Sequence, residues 1–271
     1  MISAEFEALA KEAEFTREML GSGATQIRKA NYASQGVYFQ AFTSLSTGIE
    51  RIGKLCLMLD HALENDGRFP DLAYMQRKIC HKISLIYAKC VAVVERRSMK
   101  MEFLERLDDP IHRAILNVLS GFARGDRYCN INLLAGKGDQ TDPVEQWFRQ
   151  VDQQISDTRV SAKREHRIRR NARLVGELLS PFTSIRHTAE TGDDITAVED
   201  ASYRTGMYEA VAPWRQFYVL QIIRFWVELL YSLHDVANST KHLVVPHFGE
   251  IFAIFYNPDS YLRTRKTWDR L

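Results

Sequence analysis

Hydrophobic residues recur at intervals of three and four over most of this chain, which is the spacing of one face of an α-helix. One such stripe lies within residues 44–63 and consists of Ile49, Ile52, Cys56, Leu59 and Leu63. A second stripe predicts a helix over residues 71–97 and consists of Leu72, Met75, Ile79, Ile83, Ile86, Cys90 and Val93. The turn between the two helices, Asn65-Asp66-Gly67-Arg68, is short, so we predict that they pack antiparallel. Ile52 and Ile79 are expected to be buried.

Two further segments carry a helical pattern. Residues from Ser3 to Leu20 are amphipathic, and Gly21-Ser22-Gly23 is expected to end that helix. Residues from Pro213 to Ala237 are apolar except for one narrow stripe, in which the polar residues follow at intervals of three and four: Gln221, Arg224, Glu228, Ser232 and Asp235. A charged stripe is costly in lipid. We therefore predict a core helix that touches water along one edge, with Pro213 in its first turn.

Other segments lack a long helical period. Asp126 to Asp142 contains few apolar residues and is predicted to be a loop or a short strand-like element. Glu190 to Asp200 carries five acidic residues and no basic one, which favours a flexible surface loop. Pro143 is expected to open another helix. Near the end of the chain, Trp268 is expected to anchor a docked tail.

These patterns predict an all-α protein, an up-and-down helical bundle with additional packed C-terminal helices. We expect residues 1–135 to form the bundle and residues 136–271 to pack on it, either as a second region or as part of one continuous domain. A chain of 271 residues is long enough for either arrangement.

Composition adds little about partners. The formal net charge of +2 makes no case for nucleic acid or for a membrane surface. The four cysteines contain no CxxC pair and are expected to be reduced, mostly buried thiols: Cys56, Cys80, Cys90 and Cys129. The N-terminal residues are acidic and lack the pattern of a signal peptide. The expected location is therefore the cytoplasm, without membrane association.

No familiar cofactor or metal motif is found in the sequence. HExxH, GxSxG and zinc-type Cys/His spacings are absent, and Gly136-Lys137-Gly138 lacks the residues of a phosphate loop. His234, His242 and His247 are spread over a helix end and a loop, which disfavours a metal site. We therefore expect no cofactor and no metal.

A basic run extends from Arg159 to Arg173 and contains seven cations against a single acid, Glu165. Such a cluster creates a strong local positive field, and contacts with phosphates require it. Lys163, Arg164, Arg167 and Arg170 are the candidate nucleic-acid-binding residues. The alternative is a solvated helix whose charge is balanced by the acidic segment 190–200.

Arg77 and His81 form a candidate catalytic pair. Four residues apart on the helix predicted over residues 71–97, they would share a face roughly opposite the core stripe. An imidazole exchanges protons near neutral pH, and a guanidinium stabilises a developing phosphate charge, so the two together can cleave RNA without metal. Arg127, in the loop-like stretch Arg127-Tyr128-x-Asn130, is a third candidate. Each of these residues could instead be purely structural.

Several stretches of the sequence together resemble bacterial HEPN-like proteins, helical proteins found in prokaryotic defence and toxin systems. The stretches are Gly48 to Leu55, Asp66 to Pro70, Lys78 to Ile83 and Asp126 to Ile131, and the similarity covers about Tyr38 to Leu134. The resemblance implies an up-and-down bundle, a homodimer in many cases, and metal-independent ribonuclease activity in many members. It also implies an Arg followed four to six residues later by a His.

The spacing of the candidate residues matters for this resemblance. Arg77 and His81 have three residues between them, whereas Arg106 and His112 have five but are separated by Asp108, Asp109 and Pro110. Two functions stay open: an RNA-binding protein or ribonuclease of a defence or toxin–antitoxin system, and a non-catalytic helical module that binds a partner protein. A role in RNA binding predicts that the basic run is exposed and adjacent to Arg77 and His81.

Overall fold

The computed structural model describes residues 3–79, 81–138, 140–240 and 243–269. The regular structure in these ranges is almost entirely helical, which confirms the predicted all-α fold. The α-helices are α1 (Ala4–Lys29), α2 (Gly36–Glu64), α3 (Leu72–Tyr74), α4 (Ile83–Arg96), α5 (Pro110–Arg124), α6 (Cys129–Leu134), α7 (Pro143–Trp147), α8 (Gln153–Arg159), α9 (Ala162–Leu179), α10 (Val198–Ser239), α11 (Phe248–Ile251) and α12 (Asp259–Thr264).

Shorter elements connect these helices. The π-helical turns are Met75–Ile79 and Phe148–Asp152, and the 3₁₀ turns are Tyr32–Ser34, Asp126–Tyr128 and Ala253–Phe255. Two short strands, β1 (His187–Thr188) and β2 (Asp194–Ile195), pair antiparallel. The helix predicted to open at Pro143 does begin there, where the Asp142 side chain accepts the amide of Val144 at 2.8 Å.

Helices α1 and α2 pack antiparallel. Arg51 of α2 donates to both carboxylate oxygens of Glu12 at 2.7 and 2.8 Å, and further along the pair Gly23 of α1 faces Leu45 of α2. The predicted break at Gly21-Ser22-Gly23 is wrong, because α1 continues through it to Lys29. A Cβ atom at Gly21 would lie 2.2 Å from the carbonyl oxygen of Trp268. These glycines therefore permit close packing of neighbouring chain segments and do not end the helix.

Helices α2 and α4 run parallel, so the predicted antiparallel packing is wrong. Gly53 of α2 lies beside Ile86 and Cys90 of α4. Closer to the C-terminal ends of both helices, Asp60 pairs with Arg96 at 2.6 Å. Contacts therefore advance in the same direction along both helices. The parallel arrangement is possible because the residues that connect the end of α2 to the start of α4, 65–82, run back alongside α2.

The returning segment interrupts the single helix predicted over residues 71–97. Helix α3 passes into a π-helical turn that ends at Ile79, and α4 starts anew at Ile83. The ring of Tyr74 lies 4.5 Å from that of His61, close to the end of α2. Ile79 is buried as predicted, but Leu72 is 73% exposed. Met75 is partly buried against the core, so the repeat of apolar residues fails at Leu72 and predicts the core from there onwards.

Helix α10 is the longest element and lies at the centre of the molecule. Along α2, Tyr38 contacts Arg215 and the thiol of Cys56 contacts the carbonyl of Trp226, so α10 runs parallel to α2. Pro213 lies inside α10 and not in its first turn. Across the described ranges, none of the helices combines the length and the apolar character needed to cross a membrane.

The polar stripe of α10 is largely covered by protein, contrary to the expectation that it touches water. Gln221, Arg224 and Glu228 are buried. Arg224 donates to the carbonyl of Asn257 at 2.7 Å and pairs with Asp259 at 2.6 Å. The C-terminal residues thus supply polar partners for Arg224, while the Glu228 carboxylate accepts the amide of Glu102.

Two predicted loops contain regular structure. Residues 126–134 form a 3₁₀ turn followed by α6, which is too short to bury its apolar side chains, and Leu134 is 89% exposed. Within residues 190–200, Asp194 and Ile195 belong to β2, and α10 starts at Val198. Glu190 is buried, so this acidic segment is not simply a flexible surface loop.

One hydrophobic core includes residues from both halves of the chain, among them Ile52 of α2, Phe122 of α5 and Trp226 of α10. Cys56, Cys90 and Cys129 are buried free thiols as predicted, whereas Cys80 lies outside the described residues. The predicted tail anchor is confirmed: Trp268 is buried and stacks on Phe255 with ring centres 5.9 Å apart.

Candidate functional site

Arg77 and His81 do not share a helical face, because the π-helical turn ends at Ile79 and His81 lies beyond it. The His81 side chain is 78% exposed, and its Nδ1 atom lies 2.8 Å from Glu50 and 3.1 Å from Lys54 of α2. Arg77 is exposed and donates to the carbonyl of Ala73 at 3.2 Å. Both residues are therefore accessible, but the geometry expected of a helical pair is wrong.

Arg127, the third candidate, lies in the 3₁₀ turn before α6 and is exposed. Its guanidinium stands over the ring of Tyr128 at 5.0 Å. This contact fixes the side chain along the surface. Arg127 is distant in sequence from α3 and α4, and none of the described hydrogen bonds or ion pairs connects it to Arg77 or His81.

The basic run forms the end of α8 and most of α9. The Ser161 side chain caps α9 by accepting the amide of Arg164 at 3.3 Å. The candidate residues Lys163, Arg167 and Arg170 are exposed, as expected, and Arg164 is half-buried and donates to the carbonyl of Glu209 at 3.4 Å. Helix α9 thus presents its cations to solvent while it packs on α10.

The basic run is not adjacent to Arg77 and His81, contrary to what a nucleic-acid role at that pair predicts. Helix α9 packs on the first part of α10, where Ile168 meets Gly206. His81 lies beside Glu50, close to the part of α2 that contacts Trp226 of α10. Gly206 and Trp226 are about 30 Å apart along the helix. The cavity of about 760 Å³ that Arg164 and Arg167 line includes neither Arg77 nor His81.

A different Arg–His pair shares a pocket with the start of the basic run. A pocket of about 470 Å³ lies where the segment before α5 meets α10 and α12. Its charged or titratable lining residues are Arg106, Asp108, Asp109, His112, Arg159, Tyr218, Asp259 and Arg263, and Trp214 adds an aromatic face. Arg106 and His112 fall on opposite sides of the α5 start at Pro110, which brings them to one pocket without a shared helical face.

His112 forms the buried wall of this pocket. Its Nε2 atom lies 3.0 Å from the side-chain oxygen of Gln221, and its ring meets Tyr218 edge to face at 5.2 Å. Its Nδ1 atom is buried without a hydrogen-bond partner among the described residues. Burial lowers the pKa of His112, although the Gln221 hydrogen bond and nearby carboxylates act in the opposite direction. Burial thus disfavours the charged imidazolium. Because the Gln221 oxygen can only accept, Nε2 carries the hydrogen and Nδ1 is the nitrogen that can accept a proton.

Arginine and aromatic side chains surround the mouth of the pocket. Arg159 donates two hydrogen bonds to the hydroxyl of Tyr218, at 2.9 and 2.5 Å. The guanidinium groups of Arg159 and Arg263 both stand over the ring of Trp214, at 5.3 and 4.5 Å. Burial raises the pKa of Tyr218, against the hydrogen bond from Arg159. Cations with an adjacent aromatic face can bind a phosphate and stack a base.

Carboxylates also lie in the pocket, but two have partners in the fold. Asp109 accepts the amide of Ile111 at 2.8 Å and so caps α5. Asp259 pairs with Arg224 at 2.6 Å. Arg106 forms a close ion pair with Glu95. Arg159 and Arg263 are therefore the cations available to a ligand.

Sequence reasoning identified only part of this pocket. The five-residue spacing of Arg106 and His112 was visible, and Arg159 was included in the basic run. Trp214, Tyr218 and Arg263 were missed, because no local pattern connects positions so far apart in the chain. A proline inside a long helical pattern, followed directly by Trp214, was the available signal.

Within the described ranges, no group of three or more His, Cys, Asp or Glu side chains is arranged to hold a metal ion. His242, one of the three histidines considered for a metal site, lies outside those ranges. Comparison of the chain with models of protein families, with curated proteins and with solved structures finds no match.

Proposed function

We propose that this protein binds RNA and cleaves it without a metal ion at the pocket around His112, as a cytoplasmic HEPN-like ribonuclease of a defence or toxin–antitoxin system. The observation that carries the proposal is the position of Arg159. This first cation of the basic run lines the same pocket as Arg106 and His112. A nucleic-acid strand on α9 would therefore lead into a pocket that contains an imidazole.

The basic run continues from the pocket along α9. Arg164 contacts the carbonyl of Glu209, which is about 8 Å along α10 from Trp214. Lys163, Arg167 and Arg170 are exposed on the same helix. Their charges supply the phosphate contacts that dominate RNA affinity. The overall net charge of +2 does not oppose this, because the field near α9 is local.

The proposed reaction uses groups of this chain alone. His112 accepts the proton of a ribose 2′-hydroxyl at Nδ1, which requires the residues that cover this atom to move, and the resulting oxygen attacks the adjacent phosphorus. The bond between phosphorus and the 5′ oxygen breaks, that oxygen takes a proton from water, and a cyclic 2′,3′-phosphate remains. Arg159 and Arg263 stabilise the negative charge that develops on the phosphoryl oxygens.

Cleavage of a broad RNA panel in excess EDTA tests the catalytic part of the proposal. His112→Gln should reduce the rate by about 10²–10⁴, since it removes the base while keeping a polar side chain. His81→Gln and Arg77→Ala serve as matched controls and should cleave like the wild type. Loss of cleavage in His81→Gln with full activity in His112→Gln would return the chemistry to the sequence-predicted pair, with Arg127→Ala then as the next variant.

Binding at increasing salt tests the role of α9. Replacement of Lys163, Arg164, Arg167 and Arg170 by Ser should weaken RNA binding and reduce the slope of log affinity against log salt. The matched control replaces four lysines outside the basic run by Ser as well: Lys11, Lys29, Lys89 and Lys100. Equal slopes for both quadruple variants would reject α9 as the binding surface.

Exposed apolar residues favour a second candidate function, a non-catalytic module that forms a homodimer or binds a partner protein. They cluster at the end of α9 and just beyond it: Leu174, Leu178, Leu179 and Phe182. Exposed patches of this kind often mark interaction sites. Absence of RNA cleavage by the wild type, together with self-association in analytical ultracentrifugation, would favour this alternative.

A further inference from the structure

A second pocket, of about 390 Å³, lies between α10, the segment around residue 152 and the turn that connects β1 to β2. It lies apart from the pocket around His112, and none of the residues named for that pocket lines it. The charged residues around it are Asp152, Glu190, Asp193, Asp200, Arg204 and Arg215. Aromatic side chains contribute the remaining walls, namely Tyr32, Phe148, Tyr203 and Tyr208.

The floor of this pocket is a buried ion pair. Arg215 binds Asp152 through two nitrogens at 2.8 and 2.5 Å, and donates to the carbonyl of Ala30 at 2.7 Å. The indole of Trp147 donates to the same carboxylate at 3.0 Å. All of these polar groups have partners, so Asp152 and Arg215 neutralise one another and hold the floor rigid.

The remaining charges of the pocket do not cancel. Arg204 pairs with Asp200 at 3.1 Å. Glu190 and Asp193 are left without an arginine or lysine partner, since none of the salt bridges in the described ranges includes them. With all six groups ionised, the formal charge of the pocket is −2, although Arg215 and Arg204 also act on the Glu190 carboxylate.

Glu190 is the less exposed of these two carboxylates. Its side chain is 8% exposed, and its carboxylate accepts the hydroxyl of Tyr38 at 3.4 Å. Burial, with a contribution from Asp152, raises the pKa of Glu190. A buried carboxylate is costly without a positive partner. The nearby turn holds it in place, because Gln35 donates to the carbonyls of Thr188 and Ala189, both at 3.1 Å.

We propose that this pocket binds a small organic cation, a primary amine with an aliphatic body, whose ammonium group pairs with Glu190. The buried carboxylate supplies the opposite charge, and Asp193 adds to the attraction from the rim. The tyrosine and phenylalanine faces suit both the ammonium group and the alkyl chain. This site is independent of the proposed RNA chemistry, so each can fail without the other.

Isothermal titration calorimetry at physiological salt tests the proposal with 1,5-diaminopentane as the probe. The wild type should bind the diamine and should not bind 1,5-pentanediol or glutarate, which have similar length but no positive charge. Glu190→Gln should weaken diamine binding about tenfold or more, because the charge pair is lost. Glu177→Gln, an exposed carboxylate of α9 outside the pocket, should bind like the wild type.

Asp193→Asn provides a second test should Glu190→Gln fail to fold, because Asp193 is exposed in the turn and bonds only Thr191. It should weaken binding without affecting the melting temperature. Absence of diamine binding by the folded wild type would overturn the proposal. Equal affinity for the diamine and the diol, or equal losses in the Glu190 and Glu177 variants, would also overturn it.

Discussion

At the scale of single residues, the imidazole of His112 is held by two side chains of α10. Gln221 fixes its Nε2 atom and Tyr218 packs against its ring. This enclosure removes water from the ring and so disfavours the charged form. The same burial that keeps His112 neutral for proton transfer also links the stability of the fold to pH.

We predict that His112→Gln reduces the pH dependence of stability. The pKa of His112 is lowered from 6.5 in the folded protein, so the unfolded chain binds its proton at a higher pH. The free energy of unfolding therefore decreases as the pH falls through 6.5 towards the lower folded value. Urea denaturation at a series of pH values between about 7 and 5 should show a shallower decrease for the variant.

His234 contributes a similar decrease in the wild type, since burial also lowers its pKa. The difference between His112→Gln and the wild type therefore isolates the contribution of His112. Parallel curves for the two proteins would contradict the prediction. The same substitution at exposed His81 serves as the control for a general effect of replacing a histidine.

The polar residues of α10 show what sequence can and cannot give at this scale. Their spacing placed Gln221, Arg224 and Glu228 on one stripe, and the structure has them on one helix. The expectation that these residues touch water is wrong. Asp259 and the carbonyl of Asn257 cover Arg224 instead. Periodicity identifies a face of a helix, but the partner of that face comes from more than 30 residues away.

At the scale of elements, α2 and α4 approach closely at a glycine. Gly53 of α2 faces Ile86 of α4, and the thiol of Cys90 lies near its carbonyl. The helical repeat predicts both interacting faces correctly. It does not predict direction, because the connecting residues 65–82 are long enough to return along α2 before α4 begins.

We predict that Gly53→Ala destabilises the protein by about 1–3 kcal/mol, as overpacking does in other cores. The added Cβ would lie 2.3 Å from the Cγ2 atom of Ile86, so α2 and α4 must separate. Gly36→Ala is the matched control in the first turn of α2, where a Cβ meets no atom within 4 Å. It should be neutral or stabilise by about 0.4–1 kcal/mol.

Equilibrium urea denaturation of both variants gives the comparison. The double variant Gly53→Ala/Ile86→Ala should lose less free energy of unfolding than the two single variants lose together. The shortened side chain at position 86 makes room for the new methyl group. Additive costs, or equal effects of Gly53→Ala and Gly36→Ala, would show that α2 and α4 do not approach at this point.

At the scale of the whole molecule, α10 packs against helices from the first predicted region. Its residues pack with α1, α2 and α5 in one core, and they also line both pockets. The sequence predicted that C-terminal helices pack on a bundle, and it identified Trp268 as an anchor. It could not place the pockets, since the lining of one extends from Tyr32 to Arg215 and that of the other from Leu104 to Arg263.

The last prediction concerns the C-terminal tail. The ring of Trp268 stacks on Phe255 with ring centres 5.9 Å apart. The backbone carbonyl of Trp268 lies close to Gly21 of α1. The tail also reaches α10, because Gln216 donates to the carbonyl of Lys266 at 2.9 Å. Trp268→Ala should therefore destabilise the protein by about 3–5 kcal/mol, the range typical of a buried large aromatic residue.

The amide of Trp268 donates to Thr25 at 2.8 Å whatever side chain position 268 carries, so the loss reports the side chain, that is, the buried ring and its indole hydrogen bond to the carbonyl of Arg265. Phe182→Ala is the control, since that ring is 86% exposed and its removal should change the free energy of unfolding by less than about 0.5 kcal/mol. Chemical denaturation measures both. Equal midpoints for Trp268→Ala and the wild type would mean that the tail does not dock on α1 in solution.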